Sequence, residues 1–374
     1  MLVDSHRRKI ESILATADIR LDGNQPWDVR VNDERLFSRI LAKGTLGAGE
    51  SYMEGWWDCQ ALDELVCRAT RARLDQQLKP LRLVGDVITA KLKNLQAPSR
   101  AFEVGRRHYD LGNDLFRAML DKRMIYSCGY WNEANNLDDA QVAKLELIAA
   151  KLMLRPGMKV LDIGCGWGGA PRYLARHYGV QVVGITVSEQ QAELGRQACA
   201  GLPVQLRLQD YRELDEEFDR IYSIGMFEHV GPKNYRTFMR TVRRCLKDDG
   251  LFLLHTIGSD TTHTHTDPWI HRYIFPNGCL PSARLITGAA EGVFVLEDWH
   301  NFGPDYERTL LAWYRNFESA WPKLRDSYDE RFHRAWRYYL LISAGAFRSR
   351  ANELWQIVWS TGRRTAAYRP VGSR

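Results

Sequence analysis

An apolar strand that ends in a glycine-rich turn constrains this chain more than any other feature. Residues 160–163 read Val-Leu-Asp-Ile, and residues 164–169 continue as Gly-Cys-Gly-Trp-Gly-Gly. Glycine permits a tight turn and a close approach of the backbone to a ligand, and a helix that begins there offers free N–H groups. The pattern predicts a ligand site at the end of a strand in an α/β sheet.

The identity of that ligand depends on Asp162. The glycine spacing also fits a dinucleotide fingerprint, and a turn without a ligand is a third interpretation. A carboxylate beside the turn repels a pyrophosphate but suits a ligand that carries an amine or a positive charge. S-adenosylmethionine (SAM) has an amino acid tail, a ribose, a sulfonium and no phosphate, so we interpret the turn as a SAM site.

Strands and helices alternate after residue 150, which predicts a doubly wound, mostly parallel sheet. Five strands are predicted at 159–163, 181–186, 204–208, 218–223 and 251–257. The helices between them are predicted at 169–178, 189–200 and 234–245. Helices from 306 to 346 and two further strands, near 293–299 and 354–359, suit an antiparallel tail that brings the sheet to seven strands.

Residues 1–95 are predicted to form a smaller, mixed α/β N-terminal domain, and residues 96–374 the catalytic domain. Ser5 is expected to cap a first helix. Further elements are predicted as short strands at 19–21 and 29–31 and as helices at 34–42, 62–73 and 81–95. The stretch Gln96-Ala97-Pro98-Ser99 is typical of a linker, which we place at about 94–101.

Composition indicates a cytoplasmic location. No apolar run reaches the roughly 18–20 residues that span a bilayer, and the charged residues 1–9 are not followed by the apolar run of a secretory signal. The seven cysteines are scattered and never form a CxxC pair. This usage fits a reducing compartment better than a disulfide framework or a zinc site.

Positive charge is concentrated between Arg68 and Arg107, where ten Lys or Arg residues are opposed by only three acidic residues. Such a stretch attracts an anionic membrane surface. Nucleic acid is the other common partner of basic segments, and a solvated helix face accounts for the charge equally well. We expect residues 1–95 to bind lipid and the protein to associate peripherally with the inner face of the membrane.

Polar side chains follow the predicted strands where each one ends. They are Asp162, then Thr186, Ser188 and Gln190, then Asp210 and Tyr211, then Glu228 and His229, with His255 on the fifth strand. Because the carboxyl ends of parallel strands meet at one edge, we expect these residues to share a site. Many SAM enzymes place an acid after the second strand to bind the ribose, whereas here Glu189 is displaced from that position.

Besides these strand-end residues, two clusters are unusually aromatic. One comprises residues 107–110 and 124–131; the other comprises Trp269 and residues 273–279, followed later by Trp299, Phe302 and Tyr306. Aromatic faces line lipid channels and stabilise cations, although a packed aromatic core explains any single ring equally well. Together with the glycine turn, these clusters resemble the cyclopropane-fatty-acyl-phospholipid synthases over most of the chain. The most specific matches are Tyr126-Ser127-Cys128, Phe227-Glu228-His229 and Phe275-Pro276-Asn277-Gly278.

The resemblance implies the class I SAM-dependent methyltransferase fold and a reaction. In this family a SAM methyl group is transferred to a cis double bond in a phospholipid acyl chain, and the resulting carbocation loses a proton and closes to a cyclopropane. Bound bicarbonate acts as the general base. The resemblance assigns its ligands as Cys128, Glu228, His255, Tyr306 and the backbone at Ile257, and it implies a homodimer.

The resemblance also assigns the contacts with SAM. They are Tyr126, Ser127, Asp162, Gly164, Cys165, Gly166, Gly168, Gly169, Thr186, Ser188, Gln190, Gln191, Asp210 and Tyr211. Asp210 is expected to accept a hydrogen bond from the adenine amino group, Tyr211 to pack on the base, and Gln190 with its neighbours to reach the ribose. We expect no metal at His263-Thr264-His265, which has no cysteine or carboxylate at ligand spacing.

Other functions are compatible with parts of the pattern. Related enzymes make methyl-branched fatty acids or methylate small amines, and a scaffold protein could retain a SAM fold without activity. An amine methylase would need neither the bicarbonate ligands nor the basic N-terminal region. A nucleic-acid methyltransferase is disfavoured because residues 225–228 read Gly-Met-Phe-Glu, not an Asn/Asp-Pro-Pro-Tyr motif.

Overall fold

A computed structural model describes residues 2–77, 112–263, 266–364 and 366–371. The chain forms two compact units, each assembled from three segments. The helical unit comprises Met1–Lys93, Thr264–Pro276 and Tyr306–Asn352; the sheet unit comprises Asn94–His263, Asn277–Asp305 and Glu353–Arg374. The predicted linker and the predicted helix at 81–95 lie outside the described residues, as does most of the basic stretch.

The helical unit has one small sheet, in which β1 (Arg30–Val31) pairs antiparallel with β2 (Trp57–Asp58). Its helices are Leu2–Ala15, Arg35–Lys43, Thr45–Met53, Leu62–Arg71, Leu74–Gln77, Pro268–Tyr273, Pro304–Leu324 and Glu330–Arg348. The first helix begins at Leu2, so the prediction that Ser5 caps it is wrong: Ser5 already lies within the helix. The predicted strand at 19–21 is reduced to a single bridge between Leu21 and Val29.

Two arginines of the last helix connect the N-terminal and C-terminal segments of the helical unit. Arg348 contacts the carboxylates of Asp63 at 2.5 Å and Glu64 at 3.1 Å. Arg334 bonds to Asp58 at 2.7 Å and also donates to two backbone carbonyls. These charge-assisted hydrogen bonds join parts of the chain that are more than 270 positions apart.

The sheet unit contains seven strands. They are β3 (Lys159–Ile163), β4 (Gln181–Thr186), β5 (Val204–Leu208), β6 (Phe218–Ile224), β7 (Leu246–Ser259), β8 (Val295–Asn301) and β9 (Asn352–Ser360). Their order is β5-β4-β3-β6-β7-β9-β8. The pairs β3–β4, β3–β6, β4–β5 and β6–β7 are parallel, whereas β8 and β9 pair antiparallel. The predicted doubly wound fold with an antiparallel tail is confirmed.

Helices cover both faces of this sheet. They are Asn113–Met119, Leu137–Lys151, Gly169–Tyr178, Glu189–Ala198, Tyr235–Cys245 and Ala283–Ala290. Leu161 and Ile221 belong to the apolar cluster on one face, and Val160 and Tyr222 to the cluster on the other. Strands buried on both faces read as continuous apolar runs, which is why the sequence pattern located them. In the described part of the chain, no helix is long and apolar enough to cross a membrane.

The packing of the helical unit leads to a stability prediction at Gly345. A Cβ atom there would lie 2.3 Å from the backbone oxygen of Asp63, whereas a Cβ on the helical Gly288 would meet no atom within 4 Å. Gly345→Ala should therefore lower the free energy of unfolding by about 1–3 kcal/mol through overpacking. Gly288→Ala should raise it by about 0.5–1 kcal/mol. Urea unfolding measures both changes, and equal stability of the two variants would contradict the described helix contact.

Candidate active site

The glycine-rich turn connects β3 to the helix Gly169–Tyr178. Gly164 adopts a φ of +94°, which side chains rarely tolerate, and its N–H donates to the backbone oxygen of Ile185 on β4 at 3.0 Å. A Cβ on Gly169 would lie 2.4 Å from the backbone oxygen of Arg123. The turn is therefore held against its neighbours at both ends, and the intervening backbone is free to approach a ligand.

A cavity of 180 Å³ opens where β3, β4 and β6 end. Eleven of the fourteen predicted SAM contacts line it: Tyr126, Ser127, Asp162, Gly164, Cys165, Gly166, Gly169, Thr186, Gln191, Asp210 and Tyr211. Gly168, Ser188 and Gln190 are not among the lining residues. Trp167, Arg212, Met226 and His229 also line the cavity, and the SAM assignment did not include them.

The residues after β4 differ in their roles. The Thr186 hydroxyl donates to the side-chain oxygen of Gln191 at 2.8 Å, and both residues are buried. Ser188 caps the following helix by accepting a bond from the Gln191 N–H at 3.3 Å. Gln190 is exposed on the first turn of that helix. Gln191, not Gln190, therefore presents its amide to the cavity.

Asp162 lines the cavity and is buried, with 2% of its surface exposed. Burial raises the pKa of its carboxyl to about 7, while the neighbouring Tyr222 hydroxyl and the ammonium of Lys144 act in the opposite direction. Its Oδ1 atom finds no hydrogen-bond partner among the described residues. A buried acceptor without a donor is destabilising, and an ammonium group of a ligand would satisfy it.

Asp210, a buried residue after β5, also lines the cavity. Its carboxylate accepts bonds from the Arg212 backbone N–H at 2.9 Å and from the Arg212 guanidinium at 3.0 Å. The neighbouring Tyr211 is buried, with its ring edge against Phe238 at a centroid distance of 5.3 Å. A carboxylate and an aromatic ring thus line the cavity after β5, with the Arg212 guanidinium 4.8 Å from the centre of the Tyr211 ring. Their assignment to the purine stays a prediction.

A second group of polar side chains follows β6 and lies on β7. Glu228 sits in a short 3-10 turn, and its Oε1 accepts the Ile257 N–H at 2.7 Å. Its Oε2 is buried and has no hydrogen-bond partner within the described ranges. Burial raises the pKa of this carboxyl to about 7. The resemblance assigned the backbone at Ile257 to bicarbonate; in the structure its N–H donates to Glu228.

His255 is 1% exposed, and burial together with the charges of Lys144 and Lys151 lowers its pKa well below the usual value. The side-chain amide nitrogen of Gln356, on the adjacent β9, lies 3.3 Å from its Nδ1. Because that amide nitrogen is a donor, Nδ1 accepts and Nε2 carries the proton. Nε2 is buried without a partner in the described structure, so a neutral imidazole has one N–H left to donate.

The remaining predicted bicarbonate ligands lie in different units. Cys128 belongs to the sheet unit and is fully buried. Lys144 interacts electrostatically both with Cys128 and with His255. Tyr306 belongs to the helical unit, where its ring stacks on Phe347 at 4.5 Å. Its assignment as a ligand stays a prediction. In the His263-Thr264-His265 motif, Thr264 and His265 lie outside the described residues.

Sequence reasoning missed three buried polar residues that hold the site: Gln141, Lys144 and Gln356. Gln141 and Lys144 lie one turn apart on the helix Leu137–Lys151. The sequence pattern could have indicated them. Positions 141, 144, 148 and 151 fall on one face of that helix, so the polar residues share a face with the apolar Ile148.

A family model described as mycolic acid cyclopropane synthetase matches residues 96–357. Over 364 residues the chain is 54% identical to the cyclopropane-fatty-acyl-phospholipid synthase of Escherichia coli K12, an alignment that covers 96% of this chain and 94% of that protein. Both matches include the glycine turn and the residues after β6.

Two solved structures are similar to this chain. Cyclopropane synthase MmaA2 from Mycobacterium tuberculosis is 31% identical, with a TM-score of 0.66 over 71% of this chain and 99% of its own. Mycolic acid cyclopropane synthase CmaA1, solved in complex with SAH and CTAB, is 33% identical, with a TM-score of 0.65 over 69% of this chain and 97% of its own. The matched length, the identity and the shared fold establish that this chain belongs to the cyclopropane synthase family of SAM-dependent methyltransferases.

Proposed function

We propose that this protein transfers the methyl carbon of SAM to the cis double bond of an unsaturated acyl chain in a membrane phospholipid. The products are a cyclopropane fatty acyl phospholipid and S-adenosylhomocysteine. The observation that carries the proposal is a pair of buried atoms that have no hydrogen-bond partner among the described residues: Glu228 Oε2, in the turn after β6, and His255 Nε2, on β7. Buried polar groups with unused hydrogen-bonding capacity suit proton removal away from water.

The chemistry explains why burial matters. An alkene is a weak nucleophile, so the methyl donor must be held in line with it; proximity and alignment contribute about 7–11 kcal/mol in favourable cases. Methyl transfer leaves a carbocation, which water would convert to an alcohol. Glu228 and His255 are almost completely buried, so they can act on the intermediate where water is excluded.

The residues present fit bicarbonate, the base that the family resemblance implies. The free N–H of His255 can donate to an anion, and the free oxygen of Glu228 can accept the proton that bicarbonate carries. By resemblance, Cys128, Tyr306 and the backbone at Ile257 also belong to the proposed ligand set. When bound, bicarbonate supplies a small base that can reach a methyl proton between acyl chain and cofactor. Glu228 would then hold or relay the proton, since its pKa lies at about 7.

Lipid analysis tests the reaction itself. The purified protein, incubated with SAM, bicarbonate and vesicles of cis-monounsaturated phospholipid, should add one CH₂ to the acyl chain with loss of the double bond. Mass spectrometry detects both changes. Asp162→Asn should strongly reduce the product because it removes the negative charge that binds the ammonium of the amino acid tail of SAM. A methyl-branched or hydroxylated lipid, or methylation of an added amine in place of lipid, would contradict ring formation.

Glu228→Gln tests the proton acceptor. The glutamine can still accept the Ile257 N–H but cannot take a proton, so kcat should fall by about 10²–10⁴-fold with SAM binding unchanged. In the parent protein kcat should rise as the pH passes through about 7, because the ionised form of Glu228 accepts the proton.

The matched control is Glu217→Gln, which changes an exposed residue of the same unit. The Glu217→Gln variant should keep the kcat and the pH profile of the parent protein. Removing bicarbonate from the buffer should lower kcat equally in this variant and in the parent. A Glu228→Gln variant with undiminished kcat would place the proton acceptor elsewhere.

We also propose that the basic stretch docks the protein on the anionic inner face of the membrane, that the protein is otherwise cytoplasmic, and that it forms a homodimer. The excess of positive charge in residues 68–107 supports the docking. Arg68 is ion-paired with Asp18 and Glu64, and Arg71 donates to a backbone oxygen. These two arginines have structural partners, so the test should use the charges that follow them.

Vesicle sedimentation at low salt compares two triple variants with equal changes in charge. The test variant neutralises Lys79, Arg82 and Lys91 to glutamine, and the control neutralises the exposed Lys9, Arg20 and Arg30. Binding to phosphatidylglycerol-containing vesicles should weaken in the test variant by about 1 kcal/mol for each residue that approaches the surface. Equal weakening in both variants would indicate a general charge effect and contradict docking through this stretch.

A further inference from the structure

Lys144 is a charged side chain with none of its surface exposed. Its Nζ lies 2.7 Å from the Ser127 hydroxyl oxygen, and burial lowers its pKa to about 8. Burying an ammonium is costly unless a compensating interaction exists. The charges of the buried Asp121 and of Asp162 favour the ammonium, but its hydrogen bond goes to the Ser127 hydroxyl, which an apolar residue of the same length could not reach in this way.

The helix that carries Lys144 also fixes the backbone beside it. The side-chain amide of Gln141 donates to the backbone oxygen of Ser127 at 2.7 Å and to that of Ile125 at 3.4 Å. The segment Ile125–Ser127 has no helix or strand of its own. Gln141 therefore sets the path of this segment, while Lys144 sets the orientation of the Ser127 side chain.

That orientation has a chemical consequence. An ammonium group only donates hydrogen bonds, so the Ser127 oxygen must accept, and its own proton remains available. No acceptor for this proton lies among the described residues, and Ser127 lines the cavity. The hydroxyl thus presents a donor to the cavity, polarised by a buried positive charge behind it.

Asp162 lines the same cavity with the opposite character. Its Oδ1 atom has no hydrogen-bond partner in the described part of the chain, and the carboxylate interacts electrostatically with Lys144. The Ser127 hydroxyl, with the ammonium of Lys144 behind it, is complementary to a carboxylate. The Asp162 carboxylate is complementary to an ammonium, and the two groups together suit a ligand that carries both on one carbon. The amino acid tail of SAM is such a zwitterion.

We propose that Lys144 is a positioning residue that acts through Ser127 to bind the α-carboxylate of the SAM tail, while Asp162 binds the α-ammonium. The inference rests on the proposed placement of SAM in this cavity. Lys144 does not touch the ligand, because it has no exposed surface; Ser127 carries the contact.

Two ligands separate this role from a merely structural one. S-adenosylhomocysteine contains the amino acid tail, whereas 5′-methylthioadenosine has the same nucleoside and thioether but no tail. Calorimetric titration of Lys144→Met and of Ser127→Ala should show each variant binding S-adenosylhomocysteine about tenfold or more weakly, the size of one lost hydrogen bond to a charged group. Affinity for 5′-methylthioadenosine should stay within about twofold. The double variant should bind no more weakly than Lys144→Met, because both changes remove one interaction.

Lys151→Met is the matched control, since Lys151 is a buried lysine on the same helix, paired with Asp298 at 2.9 Å. It should leave the ratio of the two affinities unchanged. Failure of the parent protein to bind S-adenosylhomocysteine would contradict the placement of SAM itself. With parental binding intact, an equal loss of both ligands in Lys144→Met, or no loss of either, would overturn the proposed role of Lys144.

Discussion

Parallel pairing of the central strands is the constraint on which the site depends. Asp162 of β3 pairs with Gly184 of β4 and with Tyr222 of β6, and His255 of β7 pairs with Ile224 of β6. In a parallel sheet every carboxyl end lies at the same edge. The turns after these strands therefore meet, although they are separated by tens of residues in the sequence. No single loop forms the cavity.

Burial gives these meeting groups unusual acidities. Removal from water disfavours every charged form, so it raises the pKa of Asp162 and Glu228 to about 7 and lowers that of Lys144 to about 8. The pKa values of carboxyl groups and a lysine normally differ by about six, and here they come within about one of each other. The same removal from water protects a carbocation, so the altered acidities and the proposed chemistry have one physical cause.

Much of the sheet unit was predictable because its pattern is local. The helix Gly169–Tyr178 and the strand Lys159–Ile163 have the predicted bounds, since apolar runs, glycine turns and helix periodicity are all written in adjacent residues. The helix Thr45–Met53 was missed: it contains two glycines, which weaken helix propensity, and most of its residues are buried, so no polar face marks the period. Residues Tyr306–Asn352 belong to the same unit as the N-terminal segment because of contacts such as the ion pair between Arg348 and Asp63. These residues are far apart in the sequence, so no local pattern predicts the contact.

The predicted site was incomplete for a related reason. Motif reasoning locates residues that face the ligand, because strand ends and glycine turns are recognisable. It does not locate the residues behind them: a lysine within a helix normally indicates a solvated face. Lys144 and Gln356 instead determine which atoms of Ser127 and His255 donate and which accept. Those directions decide whether a cavity prefers a cation, an anion or a zwitterion. Buried residues that do not contact the ligand thus help to determine which class of ligand the site binds, because they orient the groups that do.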